Sequence, residues 1–473
     1  MKESDKTRFD ALLEWSREHG AELHPSIEIC YDDVTKYSLR VKDSVENGLE
    51  AGFKAVTCPV STTLSFLNAL VDGPIGLNSS SGERTAAFPP QFMTSIPPHV
   101  IGRFFLIKEY LKGKASFWWA YIATLPQPEH LGAWTLPPFW PEDDIEYLDG
   151  TNAYVAINEI QANVKSEFKQ ARRVLKDENF PNWQDYTQML YKWAFCLFTS
   201  RSFRPSLILS SPAKAHISSI LPPDCEIDDF SILQPLFDIA NHSMTSKYTW
   251  DVASDPNACQ LICRDAYGPG EQVFNNYGLK TNSELLLAYG FALPETEALH
   301  NDYIHVRKRQ QQQQQGGKDG AGEKPKDFLI SLRPVSHPSS LALRARVVHA
   351  SGVASNSRSG LLSLPAFAHF EPALVEDIAS AMASPDEKQA LEQWREGELP
   401  AGLTELMARI KGALAGKLQY DYQRLMEAEG EEGMPEPANR NQVLAGEYRR
   451  GCEMVLRAAL EGLMVGDEGE EEE

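Results

Sequence analysis

The chain has 473 residues, of which 42% are hydrophobic and 23% are charged, and its formal net charge is −21. At roughly 150 residues per domain, this length predicts about two or three domains with at least one sizeable core. Such proportions exclude a fibrous protein and a wholly disordered one. The acidity disfavours direct contact with phosphate backbones, so we expect no nucleic-acid partner and instead a basic, lysine-rich protein partner.

The cysteines and the N-terminal residues indicate a reducing compartment. The seven cysteines are scattered without a CxxC motif, and the closest pair, Cys259 and Cys263, lies in a run that predicts a strand. We therefore expect buried thiols there rather than zinc ligands, and no metal site. The first ten residues hold no apolar signal core and no stretch is long enough to span a membrane. We expect a cytoplasmic and/or nuclear protein without membrane contact.

The N-terminal part combines one helix with short strands. Phe9, Leu12, Leu13 and Trp15 recur at helical spacing, which predicts an amphipathic helix over 7–19. Three β-rich pieces follow, and they predict strands at SIEICYDD, YSLRV and FKAVTCPV.

The middle of the chain is first helical and then β-rich. Helical patterns run from about 98 to 200, whereas between 203 and 275 short apolar runs separated by proline and glycine predict strands. The segment NSELLLAYGF, at 282–291, predicts a helix that Pro294 closes.

The C-terminal part begins with a segment of low complexity. Six consecutive glutamines, 310–315, run into GGKDGAGEKPKD, a composition that cannot bury enough apolar surface to fold, so a flexible linker or insertion is predicted. Beyond it, Leu403, Leu406, Ile410 and Leu414 recur at spacings of three and four and predict helices. The ending GDEGEEEE predicts a disordered acidic tail.

Three stretches between 235 and 291 stand out as candidates for chemistry. The sequence lacks a GxxxxGK[ST] phosphate loop, an HExxH zinc helix, a GxSxG elbow and a GxGxxG after a strand. It contains instead PLFDIANHSM, where Asn241 and His242 interrupt a buried strand or turn, and YGPGEQVFNNYG, where a Pro-Gly turn leads into a strand ending at Tyr277. The third stretch is NSELLLAYGF. Singly these pieces are typical of ordinary structure, so their order and spacing carry the interpretation.

Together the three stretches resemble the C-terminal half of a SET domain, the fold of protein lysine methyltransferases. The chain resembles one subfamily in particular, the Rubisco large-subunit methyltransferase type, whose SET domain is split by a helical insertion and followed by an all-helical substrate-binding domain. The resemblance spans about residues 7–464. Its further pieces are FDALLEWSREHGAEL, KGKASFWWAYIATLP, LPPFWPEDDIEYLDGTN, Ser200-Arg201-Ser202-Phe203 and LAGEYRRGCEMVLRAAL.

The resemblance implies an α+β fold: a β-rich SET fold with a pseudoknot, interrupted by a helical insertion and followed by an all-α C-terminal domain. A monomer is expected. The implied parts are the N-terminal helix with the first part of the SET domain at 1–110, the helical insertion at 111–190, the C-terminal part of the SET domain at 191–298, a flexible linker or insertion at 299–327, a helical substrate-binding domain at 328–465 and a disordered tail at 466–473.

The resemblance also implies S-adenosyl-L-methionine as the cofactor. Asn241 and His242 are expected to contact it, and Arg201 to pair with its carboxylate, because a guanidinium fork suits that group. His242 is expected to hold the crossing segments, with a general-base role as the alternative. The family's Gly-x-Gly corresponds here to SVENGLEAG, in which a glutamate replaces the first glycine. Three residues of this stretch are also expected to contact the cofactor: Glu46, Asn47 and Gly48.

The same resemblance implies the catalytic and substrate-binding residues. Tyr277 is expected to be catalytic, with a hydroxyl that orients the amine and the methyl group, and to contact the cofactor. Asp238 is expected either beside the amine channel or as a brace of the turn. Tyr289 and Phe291 are expected to line the channel of the target lysine.

The sequence therefore predicts an S-adenosylmethionine-dependent protein-lysine N-methyltransferase that acts on a basic non-histone protein, with ribosomal proteins among the candidates. Two alternatives stay open. One is protein-histidine N-methylation, which a branch of the subfamily performs. The other is a catalytically inactive protein-binding module, in which the altered SVENGLEAG stretch leaves the cofactor site empty.

Overall fold

The computed structural model describes residues 2–76, 85–133, 135–307, 326–341, 343–344, 364–394, 399–430 and 433–464. The chain folds into two compact units. The first consists of Met1–Thr135 and Ile160–Gly278, and the second of Leu136–Glu159 and Leu279–Glu473. The glutamine run and the predicted tail at 466–473 lie outside the described residues. The domain boundaries given above stay predictions.

The strands are short, and most belong to the first unit. In chain order they are β1 (Glu22–Leu23), β2 (Ile27–Asp32), β3 (Lys36–Val41), β4 (Lys54–Pro59), β5 (Leu64–Ser65), β6 (Ser202–Phe203), β7 (Ile232–Leu233), β8 (Tyr248–Asp251), β9 (Ala258–Cys263), β10 (Gln272–Val273), β11 (Tyr303–Arg307) and β12 (Asp327–Ser331). In the first unit they form antiparallel sheets with the strand orders β1-β4-β9-β8, β10-β3-β2 and β5-β7-β6. The strands predicted from SIEICYDD, YSLRV, FKAVTCPV and the cysteine pair are confirmed.

The helices account for more of the chain than the strands do. They are α1 (Glu3–Glu18), α2 (Phe66–Ala69), α3 (Pro90–Ser95), α4 (Pro98–Lys112), α5 (Trp119–Ile122), α6 (Glu142–Glu146), α7 (Asn152–Asp177), α8 (Gln188–Arg201), α9 (Pro205–Ile208), α10 (Ser211–Ile220), α11 (Asn282–Tyr289), α12 (Pro372–Met382), α13 (Pro385–Gln393), α14 (Thr404–Glu429) and α15 (Arg440–Met464). Within the described residues, none of these helices combines the length and the apolar character that a membrane span requires.

One stretch that was expected to form strands is helical. Residues 205–220 form α9 and α10, so the strand prediction was wrong there. The reason is local: α9 starts at Pro205, and the Ser210 hydroxyl accepts a hydrogen bond from the Ala213 amide at 3.2 Å, which caps α10. Proline at the first turn and serine at the N-cap both favour helix initiation, and together they outweigh the short apolar runs.

The second unit is mainly helical but contains one antiparallel hairpin. β11 pairs with β12, and the register runs from Tyr303 opposite Ser331 to Arg307 opposite Asp327. Residues 303–307 of the predicted flexible linker therefore form a strand, and the expectation of an all-α C-terminal domain was wrong. Ile304 and Phe328 are buried in the hydrophobic core of this unit, which explains why the hairpin forms. The helix predicted from the spacing of Leu403, Leu406, Ile410 and Leu414 is confirmed as α14.

Candidate active site

Two segments of the first unit that are distant in sequence lie side by side. The amide of Asn275 donates to the carbonyl of Asn241 at 2.8 Å, and the amide of Ser243 donates to the carbonyl of Asn275 at 2.9 Å. A parallel bridge joins His242 to Asn275. The structure therefore brings the predicted asparagine-histidine pair next to the segment that carries Tyr277.

Tyr277 and His242 are in direct contact. The Tyr277 amide donates to His242 Nδ1 at 3.0 Å, and the two rings stack with centroids 5.0 Å apart and planes 16° apart. The Tyr277 hydroxyl donates to the carbonyl of Ala240 at 3.0 Å. Because Nδ1 accepts a backbone N–H, the imidazole holds the two segments together, which favours the bracing role over the general-base alternative.

The backbone that leads into this pair is strained. Leu236 is fully buried and has φ +67° and ψ −39°, a combination that non-glycine residues rarely adopt. A single 3₁₀ turn, Phe237–Ile239, follows it. Such a conformation costs on the order of 1–3 kcal/mol and persists where the surrounding structure fixes it, often at functional sites. The turn buries the side chain of Asp238, which is only 1% exposed.

Asp238 lies in a buried polar cluster with two side chains from other helices. The hydroxyl of Tyr121, on α5, donates to Asp238 Oδ2 at 2.9 Å. Arg201 Nη1 lies 3.4 Å from the same oxygen and donates to the Asp238 carbonyl at 3.2 Å. Oδ1 is buried without a hydrogen-bond partner among the described residues. Of the two roles predicted for Asp238, these contacts are those of a brace, and a substrate contact stays a prediction.

The electrostatics of this cluster are dominated by burial. Removal from water raises the pKa of Asp238, and the opposing effects of the Arg201 charge and the Tyr121 hydrogen bond are smaller. Arg201 is the last residue of α8, and its side chain is 29% exposed. The side chain is therefore partly accessible to solvent, while its predicted pairing with a cofactor carboxylate stays a prediction.

Asn241 bonds to a hairpin that the sequence interpretation did not include in the site. Its Nδ2 donates to Gln272 Oε1 at 3.1 Å and to the Tyr37 carbonyl at 3.4 Å. Tyr37 lies at the start of β3, directly after Lys36, whose φ of +64° is typical of glycine. In this turn a lysine, not a glycine, has the left-handed backbone conformation. A glycine motif in the sequence therefore does not identify the turn.

The stretch SVENGLEAG, predicted to replace the Gly-x-Gly, does not form the turn between β2 and β3 but lies in a later turn. Glu46 and Asn47 are exposed, and Leu49 exchanges two backbone hydrogen bonds with Tyr267, at 2.8 and 3.0 Å. Gly48 has φ +64°, and a Cβ atom there would lie 2.3 Å from the Tyr267 carbonyl oxygen. The glycine is therefore required by packing, and the predicted cofactor contacts of Glu46, Asn47 and Gly48 stay predictions.

Tyr289 and Phe291 belong to the second unit. Tyr289 ends α11, and Gly290, with φ +75°, forms the C-cap after it. The rings of Tyr289 and Phe291 have centroids 6.2 Å apart, and both residues are half-buried. Burial raises the pKa of Tyr289. Their predicted place beside the target lysine stays a prediction.

The chain is similar in sequence to known lysine methyltransferases. No family model matches the chain. It is 28% identical over 308 residues to the ribosomal lysine N-methyltransferase set10 of Schizosaccharomyces pombe, which covers 63% of this chain and 49% of that protein. It is 25% identical over 292 residues to the N-lysine methyltransferase SETD6 of Mus musculus, covering 60% of this chain and 54% of that protein. The chain thus spans about half the length of these relatives.

The solved structures give a likeness over nearly the whole chain. Rubisco LSMT bound to AdoMet matches with a TM-score of 0.60 and 15% identity, covering 99% of this chain and 94% of that chain. The SET domain of LSMT bound to lysine and AdoHcy matches with a TM-score of 0.61 and 15% identity, covering 98% of this chain and 92% of that chain. At this identity the likeness concerns the fold, and the predicted α+β class with its SET fold is confirmed.

Proposed function

We propose that this chain, a SET-domain protein of the Rubisco large-subunit methyltransferase type, is an S-adenosyl-L-methionine-dependent protein-lysine N-methyltransferase. One observation carries the proposal: the backbone pairing of Asn241 and Ser243 with Asn275, which brings the asparagine-histidine pair beside Tyr277. The names of the relatives and the ligands of the solved structures support the same activity.

The residues of the site fit the charged end of the cofactor. We assign Arg201 to its carboxylate, because the side chain is partly exposed and a guanidinium matches that group in shape and charge. We assign Asn241 and the backbone around His242 to its amino group and purine, since an amide offers both a donor and an acceptor. When bound, the cofactor supplies an electrophilic methyl group on its sulfonium.

Tyr277 is assigned to orient the two reactants. Its hydroxyl donates to the Ala240 carbonyl, and a phenol oxygen is also able to accept an amine N–H or a methyl C–H. The target lysine must be neutral to attack, although its pKa in water is about 10.4. Burial in a narrow apolar channel lowers that pKa, and we assign Asp238 to a place near the amine.

We assign the hairpin between β2 and β3 as a second segment that contacts the cofactor. The bond from Asn241 to the Tyr37 carbonyl supports this choice, because it links the hairpin to a residue already assigned to the cofactor. Glu46, Asn47 and Gly48 remain the alternative segment. The substitution Glu46→Ala distinguishes the hairpin from the segment 46–48.

The proposed substrate is a basic non-histone protein that presents a lysine. The net charge of −21 favours encounter with such a protein through complementary steering. The name of the set10 relative makes ribosomal proteins the first group to test. We propose that the enzyme acts as a monomer in the cytoplasm or nucleus, without nucleic-acid or membrane partners.

Transfer of label from tritiated S-adenosylmethionine to a cell extract tests the proposal, with the labelled residue identified by mass spectrometry. We expect label on lysine in a basic protein, and a loss of about 100-fold or more with Tyr277→Phe, since the orienting hydroxyl is removed. Tyr191→Phe, at a buried tyrosine of the same unit outside the site, should keep the label. Label on histidine would replace the lysine assignment, and no label at all would leave a protein-binding module.

A further inference from the structure

Tyr121 is a buried tyrosine that none of the assignments above uses. It lies on α5, is 1% exposed, and donates its hydroxyl to Asp238 Oδ2 at 2.9 Å. Burial, followed by the charge of Asp238, raises the pKa of Tyr121 well above its usual value. The phenol is therefore protonated throughout the physiological range and is a constant hydrogen-bond donor.

The carboxylate that Tyr121 holds is also bonded to Arg201. Arg201 Nη1 contacts both Oδ2 and the backbone carbonyl of Asp238, at 3.4 and 3.2 Å. An ionised carboxylate has only acceptor atoms, so the donors around it set its orientation. In the part of the chain that the structure describes, Oδ1 has no hydrogen-bond partner, and Tyr121 and Arg201 are the side chains bonded to Oδ2.

A thiol lies near the carboxylate. Cys58 is fully buried close by, and burial together with the charge of Asp238 raises the pKa of its thiol to about 12, so it is a neutral, weakly polar neighbour. Without the Tyr121 hydroxyl, the orientation of the carboxylate would depend on Arg201 alone. The guanidinium would then lose a fixed partner.

We propose that Tyr121 is a positioning residue that acts through Asp238 on Arg201 and fixes the guanidinium where it meets the carboxylate of S-adenosylmethionine. This inference rests on the proposed function, which assigns Arg201 to that carboxylate. It adds a residue of α5 to the cofactor site although this residue does not touch the cofactor.

The first unit contains a matched control for this arrangement. The Tyr191 hydroxyl donates to Glu167 Oε2 at 2.7 Å, and Arg103 Nη1 donates to the same oxygen at 2.7 Å. As at Asp238, a tyrosine hydroxyl and an arginine bond to one carboxylate oxygen, but no role in the cofactor site is assigned to these residues. Tyr191→Phe therefore removes the same kind of hydrogen bond from a different place.

Calorimetric titration with two ligands tests the inference in the full-length chain. The ligands are S-adenosylhomocysteine, which keeps the amino-acid carboxylate, and decarboxylated S-adenosylmethionine, which lacks it. We expect Tyr121→Phe to weaken binding of the first about tenfold, the usual effect of losing a bond in a charged hydrogen-bonded pair, and to leave binding of the second within twofold. Tyr191→Phe should change neither dissociation constant.

Two further variants keep the test decisive. Arg201→Gln should weaken only the carboxylate-bearing ligand, and Asp238→Asn should reproduce the selectivity of Tyr121→Phe even if the latter folds poorly. Equal weakening of both ligands by Tyr121→Phe and Asp238→Asn, or no weakening of either, would overturn the inference. If Arg201→Gln fails to discriminate between the ligands, the Arg201 assignment itself is wrong and the inference falls with it.

Discussion

Two clusters in the first unit are built from a tyrosine, a carboxylate and an arginine, yet they differ in how fully the carboxylate is bonded. In the first cluster both oxygens of Glu167 have partners: His99 at 3.1 Å on Oε1, and Arg103 and Tyr191 at 2.7 Å on Oε2. Burial raises the pKa of Glu167, but the His99 hydrogen bond and the Arg103 charge outweigh it, so the pKa lies below its usual value.

In the second cluster the balance is reversed. Tyr121 and Arg201 reach one oxygen of Asp238, and the other is without a partner in the described residues. Burial raises the pKa of Asp238, and these two contacts do not outweigh it. We infer from this difference that the Glu167 cluster stabilises the fold, whereas the Asp238 cluster contains a buried carboxylate whose hydrogen bonds are incomplete in the described residues. Groups of that kind are concentrated at functional sites.

The largest contrast is expected between the two arginines. Arg201→Gln should weaken binding of S-adenosylhomocysteine by about 10- to 100-fold, because a charge-assisted hydrogen bond is lost. Arg103→Gln should leave the affinity within twofold and lower the thermal midpoint instead. Titration calorimetry and thermal unfolding measure both. Equal losses of affinity in the two variants would remove the distinction between the clusters.

The two carboxylates should affect stability in opposite directions. At pH 7, Glu167→Gln should lower the free energy of unfolding by about 1 kcal/mol, the value of a typical hydrogen bond, whereas Asp238→Asn should raise it, because a costly buried charge is removed. Urea unfolding of both variants beside the wild type measures these differences. A destabilising effect of the same size in both variants would contradict the comparison.

The contributions of Glu167 and Asp238 to stability should also depend on pH in different ways. The folded-state pKa of Glu167 is lowered, so its contribution to stability is present above the unfolded pKa, about 4.3, and is lost as the pH falls through the folded value. The folded-state pKa of Asp238 is raised, so its cost is fully present above that raised pKa, decreases as the pH falls below it and is gone below the unfolded pKa, about 3.9. The loss of stability caused by Glu167→Gln and the gain caused by Asp238→Asn should therefore both become smaller as the pH falls.

The smallest effect is expected at Glu46. Its side chain is exposed, unlike either carboxylate above, so Glu46→Ala should leave the dissociation constant of S-adenosylhomocysteine within twofold and the thermal midpoint within about 1 °C. Glu50→Ala, at another exposed glutamate nearby, is the control. A loss of affinity at Glu46 alone would return the segment 46–48 to the cofactor site in place of the hairpin.

Local patterns in the sequence were sufficient for much of the fold. The spacing of apolar residues predicts α1 and α14 because each buries one face, and that periodicity is visible without tertiary information. The hairpin of β11 and β12 was missed because its first strand directly precedes the glutamine-rich segment. Helices α9 and α10 were missed because the prolines of this region, such as Pro205 at the start of α9, were interpreted as breaks between strands.

The site was only partly predictable for a different reason. The asparagine-histidine pair and Tyr277 belong to short stretches of recognisable order, so a resemblance could identify them. The contact of Tyr121 with Asp238 joins residues 117 positions apart, and no local pattern in the sequence encodes it. Lys36 was missed because its positive φ is a property of the folded hairpin rather than of the residue type.

The central claim is that the joined segments form a binding site for S-adenosylmethionine. Titration calorimetry of the wild-type chain with S-adenosylhomocysteine, beside Asn241→Ala, tests it most directly. We expect one site per chain with a dissociation constant in the micromolar range, and a large loss of affinity in the variant. Absence of measurable heat from the wild type at millimolar ligand, or undiminished binding by Asn241→Ala, would contradict it.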